Sequence, residues 1–147
     1  LADGSIAPLK CNSEADPGKA VLARGVVQGH HNFGVMDRVA ELLGTQAPPI
    51  RMDGQGKYGC VAGGQAMAYI RVPRAGSTRK ECVWDHAAGV IIVEEAGGTI
   101  TDIKGKPLDF SLGSTLENNI GIIASSGVYH DRIRDCLEQA REEAGEA

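Results

Sequence analysis

Apolar residues recur along this chain at two spacings that alternate from one end to the other. Between Ala20 and Val27 a β-rich run, broken at Gly25 and closed by Gln28-Gly29, reads as a strand. From Asn32 to Leu43 the apolar positions Met36, Val39, Ala40 and Leu43 step at helical spacing, and Gly44 stands where a C-terminal cap belongs. After Pro48-Pro49, Ile50 to Met52 reads as a short strand ending at the glycine-rich turn Asp53-Gly54-Gln55-Gly56. In Lys57 to Ala62 the small residues suit close helix-to-sheet packing. Met67 to Val72 alternates as a strand closed by Pro73, and Ser77 to Glu81 is a polar loop. Ala87 to Glu95 reads as a helix with Ala87, Val90, Ile91 and Glu94 stacked on one side. Thr99 to Asp102 and the Ile-rich Asn119 to Ser125 are the last strands, and Ser125 or Ser126 is placed to cap a final helix over Val128 to Glu143. This alternation predicts an α/β fold, a layered mixed β-sheet flanked by helices. Leu1 to Lys19 has no period and reads as an irregular lead-in, so the α/β domain is expected over 20–147.

Composition narrows the picture. A chain of 147 residues, 42% of them hydrophobic, is expected to build one soluble core, and 20 glycines with only 4% aromatics suit tight strand-to-helix turns better than a β-sandwich. A net charge of -4 argues against a nucleic acid polymer as partner, although local cations can still receive a small anion. No apolar run approaches the roughly 20 residues of a membrane span, so no membrane partner is expected. Cys11, Cys60, Cys82 and Cys136 form no CxxC pair and read as reduced thiols of a cytoplasmic protein. The chain opens on Leu1 rather than Met, which leaves organellar targeting open.

Two stretches carry candidate chemistry. Asp85, within Trp84-Asp85-His86-Ala87-Ala88-Gly89 and followed by Glu95-Ala96-Gly97-Gly98, is expected in a helix's first turn, either as an N-cap or as an ionised carboxylate that binds a hard cation. Lys57 beside the glycine-rich turn suits a phosphate, and Arg71 at a strand end can clamp one. His86 reads as packing or surface rather than catalytic, and Glu94 and Glu95 as helix-end structure.

The W-D-x-A-A-G and E-A-G-G pair resembles the second signature of the inositol monophosphatase-like superfamily. Gln28-Gly29-His30, Met52-Asp53-Gly54-Gln55-Gly56-Lys57-Tyr58 and Ala68-Tyr69-Ile70-Arg71-Val72-Pro73 resemble, in that order, its 3'(2'),5'-bisphosphate nucleotidase branch. The resemblance implies that Asp85 is catalytic, holds Mg2+ and touches substrate, and that His30, Lys57 and Arg71 contact the nucleotide and its phosphates. At Gly54 the branch has a serine, so only the backbone N–H is left to bind there. The D-P-x-D-G-[ST] signature that supplies further metal ligands is absent; Asp16-Pro17-Gly18 lacks the second aspartate. The implied partners are therefore a small nucleotide bisphosphate and a missing N-terminal half of the same enzyme. The expected reaction removes the 3'-phosphate of adenosine 3',5'-bisphosphate, with this chain alone inactive. An inositol or sugar phosphate substrate, or a nucleotide-binding module without catalysis, stands as the alternative.

Overall fold

The computed structural model describes residues 6–27 and 32–146. Nine elements follow in order: β1 (Leu22–Arg24), α1 (Phe33–Leu43), β2 (Ile50–Arg51), α2 (Gly56–Ala62), β3 (Ala68–Arg71), α3 (Ala87–Glu95), β4 (Thr99–Thr101), β5 (Ile122–Ser125) and α4 (His130–Glu143). The strands form one mixed sheet in the order β2-β1-β3-β5-β4. β1 pairs parallel with β2 and β3, and β5 runs antiparallel between β3 and β4.

Alternation along the strands divides the core in two. Ala68 and Ile70 of β3, with Leu22 and Ile123, join Val39 and Leu43 of α1 and Ile133 and Leu137 of α4. On the other face Tyr69, Ala23, Ile122 and Ala124 join Tyr58 and Val61 of α2 and Val90 and Val93 of α3. Asn32 caps α1 by accepting from Val35 N at 3.2 Å, and Gly44 closes it at φ +80°. The seven-residue α2 is the element that periodicity left without a type: it is too short, and too rich in glycine, to show a stripe.

The two helix layers differ on their outer sides. Across α1 and α4, Arg38 meets Glu41 at 3.0 Å and Glu143 at 2.7 Å, a solvated charged surface. On α3, Gly89, Val90 and Val93 turn inward, while Ile91, 53% exposed, and Ile92, 42% exposed, share the outer side with the exposed Glu94 and Glu95. The side on which Ala87, Val90, Ile91 and Glu94 stack straddles the boundary of the core: Val90 is buried, Ala87 half-buried, and Ile91 and Glu94 exposed, because apolar residues lie on both sides of this helix. Trp84, just ahead of α3, is 65% exposed on the same layer.

The expected cap of α4 by Ser125 or Ser126 is also not what forms. Ser125 Oγ lies 2.8 Å from His130 Nδ1 and accepts from Gly127 N at 3.2 Å, and the helix starts only at His130, behind an uncapped Tyr129. His130 Nε2 meets Thr101 Oγ1 at 2.9 Å, so one buried imidazole ties β4, β5 and α4 together. Burial holds its pKa below the ordinary value of 6.5. A folded-state pKa below the unfolded one stabilises above pH about 6.5 and is lost as pH falls. Urea unfolding is therefore expected to show stability falling between pH 7.5 and 5.5 by at most about 1.4 kcal/mol per unit from this group. His130→Gln, which cannot take the proton, should flatten that part of the profile.

Candidate functional site

The chain reverses its direction of growth at β1. Through α1 it adds β2 on one side; through α2, on the opposite face, it adds β3 on the other. In an open α/β sheet such a switch point leaves a crevice beyond the carboxyl ends of the strands. A cleft of about 380 Å³ lies there, lined by Val27 after β1, Asp53, Gly54 and Gln55 after β2, and Arg71 at the end of β3. Lys57 and Tyr58 of α2, Tyr69, Arg79, Asp85 and His86 complete it.

Arg71 reaches the cleft because it is two residues beyond Tyr69 in β3 and shares its side of the sheet. Its Nε lies 2.7 Å from Glu81 Oε1, with that N–H not aimed at the oxygen, and the guanidinium also hydrogen-bonds Tyr69. The second carboxylate oxygen of Glu81 meets His86 Nε2 at 3.1 Å, and His86 Nδ1 meets the Tyr58 phenol at 2.7 Å. Burial pushes the Tyr58 pKa far above its usual range, which leaves the phenol protonated. It donates to Nδ1, so the imidazole carries its proton on Nε2 and donates to Glu81. Burial alone would raise the Glu81 pKa, but the His86 hydrogen bond and the Arg71 charge outweigh it and bring it to about 2. Tyr69 packs edge-on to Tyr58 at 5.1 Å between centroids, and burial pushes its phenol up to about 12.

Lys57 is not the open ammonium that its glycine-rich neighbourhood suggests. The side chain is buried, Nζ donates to Gly54 O at 2.7 Å and Met52 O at 3.2 Å, and desolvation lowers its pKa. These two bonds staple the turn after β2 and leave one N–H of three for the cleft. Gly54 itself sits at φ +70° with its backbone facing open space, a conformation in which a serine would be strained.

Asp85 ends a short 3-10 turn, Val83–Asp85, rather than standing in the first turn of α3. His86 holds the cap position and makes no side-chain capping bond, so the N-cap reading of Asp85 falls away. The carboxylate is exposed at the cleft, and among the described residues it has no hydrogen-bond or ion-pair partner. Among those residues no group of three or more metal-type side chains comes together. Asp85 is the kind of hard oxygen donor Mg2+ takes, but one carboxylate fills only a small part of an octahedral shell. The residues fit the ion in part.

Lys57, Arg71, Gly54 and Asp85 thus meet in one cleft, whereas His30 lies outside the described residues. Residue patterns missed Glu81, Tyr58 and Gln55. Gln55 clips α2 to α3, donating to Trp84 O at 2.9 Å and accepting from Gly89 N at 2.9 Å. No local spacing marks these residues: Tyr58 and Gln55 act on partners 28 to 34 residues away, and Glu81 joins His86, five residues on, to Arg71 of β3.

The Inositol monophosphatase family model matches residues 8–144. The chain belongs to that family. An inositol monophosphatase from Anabaena shares the fold at TM-score 0.68 and 26% identity, over 90% of this chain and 48% of that one. The 3'(2'),5'-bisphosphate nucleotidase of Dictyostelium discoideum is 39% identical over 90% of this chain and 40% of its own length. That of Schizosaccharomyces pombe is 46% identical over 76% of this chain and 32% of its own. This member of the inositol monophosphatase family therefore spans well under half the length of the curated relatives it matches. Its four cysteines are free thiols, and among the described residues no helix is long and apolar enough to cross a membrane.

Proposed function

We propose that this chain is the nucleotide-facing half of a Mg2+-dependent phosphomonoesterase that removes the 3'-phosphate of adenosine 3',5'-bisphosphate, leaving AMP. The observation that carries the reading is the cleft itself. In a protein of net charge -4 it gathers Lys57, Arg71 and Arg79 beside the carboxylate of Asp85. Cations in such a recess attract a polyanion, and the guanidinium edge of Arg71 suits a phosphate. Lys57, by holding the Met52–Gly54 carbonyls, shapes the turn on which a ligand would rest. Asp85 would be one ligand of the ion, which when bound supplies charge stabilisation to the transferring phosphoryl group and an activated water.

The remaining carboxylates would come from an N-terminal half. Two observations support that partner: the chain covers 32–40% of the relatives' lengths, and the layer of α3 exposes the large apolar side chains of Trp84, Ile91 and Ile92. Large apolar side chains grouped on one outer surface are of the kind a partner covers. The chain by itself, with one ligand, is proposed to be inactive and to reside in the cytoplasm.

The test is phosphate release by the full polypeptide carrying these residues from adenosine 3',5'-bisphosphate, AMP, inositol 1-phosphate and a sugar phosphate, with and without Mg2+. Release from the bisphosphate with Mg2+, at least about tenfold faster by kcat/KM than from the others, is expected. Preference for an inositol or sugar phosphate would move the substrate assignment. Tight binding of the bisphosphate without metal and without turnover would favour a binding module.

A further inference from the structure

The charged pair behind the cleft wall is built more elaborately than a stray ion pair requires. Glu81 uses both carboxylate oxygens, one on Arg71 and one on His86, with only 11% of its side chain exposed against 16% for Arg71 and 2% for His86. Its backbone is pinned as well: Leu116 N donates to Glu81 O at 2.9 Å, and the next residue, Cys82, bridges antiparallel to Thr115. On the far side of His86 the Tyr58 phenol ends the chain of contacts inside the α2 and α3 layer. A strand end, a loop and two helices are thereby locked to one guanidinium.

We propose that Glu81 is a positioning residue for ligand binding, holding Arg71 from behind so that its terminal amino groups are presented to an anionic phosphate in the cleft. The inference rests on reading the cleft as a nucleotide bisphosphate site. An arginine side chain on its own loses rotamer entropy when a ligand immobilises it. A carboxylate fixed beside the guanidinium removes much of that loss before the ligand arrives, and the guanidinium N–H groups not turned to Glu81 or Tyr69 remain as donors. The same carboxylate also cancels one positive charge, so a purely electrostatic role and a positioning role predict opposite signs. If Glu81 acts only as a counter-charge, removing it strengthens phosphate binding; if it positions Arg71, removing it weakens binding.

Titration calorimetry of adenosine 3',5'-bisphosphate into the full polypeptide, with Ca2+ in place of Mg2+ to suppress turnover, separates these. Glu81→Gln, nearly isosteric, is expected to bind about tenfold more weakly, the order of one charged hydrogen bond. Arg71→Met should weaken binding at least as much, and the double variant should bind no worse than Arg71→Met alone, because Glu81 acts through Arg71. Glu81→Asp, which restores a carboxylate, should return affinity to within about threefold of wild type. In turnover assays Glu81→Gln should raise KM with kcat little changed, a split that general unfolding does not produce. Unchanged or tighter binding by Glu81→Gln, or full additivity with Arg71→Met, would overturn the proposal. Failure of the wild type to bind the bisphosphate would instead overturn the site reading beneath it.

Discussion

Asp85→Asn is expected to lower Mg2+-dependent phosphate release from adenosine 3',5'-bisphosphate by about a hundredfold or more while leaving the unfolding free energy within about 0.5 kcal/mol of wild type. The two halves of that expectation come from the same observation. Asp85 is exposed at the cleft, caps nothing, and has no polar partner among the described residues, so the fold does not depend on its charge. A metal site does. Asparagine keeps one neutral oxygen and loses the anion, which weakens a hard divalent cation's hold and should raise the Mg2+ concentration for half-maximal rate. Had Asp85 been a helix cap, the pattern would reverse: about 1 kcal/mol of lost stability and unchanged turnover. Phosphate release against Mg2+ concentration and a urea titration, run on the same preparation, distinguish the two. Unchanged turnover and Mg2+ dependence would remove Asp85 from the site.

Gly89→Ala should destabilise the fold by about 3 kcal/mol, the top of the range for overpacking a core, and lower the melting temperature by roughly 10 °C. A Cβ on Gly89 would stand 2.3 Å from Tyr58 Cδ2, 2.4 Å from Cγ and 2.9 Å from Cβ. The obstruction is the root of the ring rather than a flexible tip. Tyr58 cannot swing aside cheaply, since it is 1% exposed, packs edge-on to Tyr69 at 84°, and anchors its hydroxyl on His86. The glycine that closes W-D-x-A-A-G thus serves the approach of an aromatic ring from α2. A matched control lies on that helix: a Cβ on Gly59 meets nothing within 4 Å. Gly59→Ala should be neutral or stabilising by up to about 1 kcal/mol, because alanine is the better helix former. Urea unfolding of both variants checks the contrast; equal effects would mean that the Tyr58 contact is not what limits residue 89.

How far the fold was legible follows from where its information is local. The bounds of α3 and the alternation of strands with helices are written in spacing, and the mixed sheet was expected from them. Predicted strands ran long: Ala20–Val27 shrinks to Leu22–Arg24, and 119–125 to Ile122–Ser125, since ladder pairing rather than propensity ends a strand. α2 had no readable period, and α3 had no readable side. At the site, Arg71, Gly54 and Lys57 were visible as residue types beside turns, but their settings were not. Lys57 turns inward to its own loop, and His86, read as packing or surface, is a buried hydrogen-bonded link. Glu81 was part of an undistinguished polar loop. Its importance comes from Arg71 and His86, which approach it only when the sheet has formed.

The antiparallel strand β5 has a consequence for the order of assembly during synthesis. β4 has β5 as its ladder partner, and β3 pairs with it along Ala68↔Ser125 to Arg71↔Ile122, so residues made early wait for residues made late. A nascent chain that has emerged only as far as Asn118 has β1, β2 and β3 but an open edge along Ala68–Arg71. Such an edge invites pairing with other chains. The interval between emergence of Arg71 and of Ser125 is therefore the period in which this polypeptide most needs a chaperone or dilution, and a stop codon inside it would remove α4 along with some or all of β5, and with β5 the ladder partner of β4.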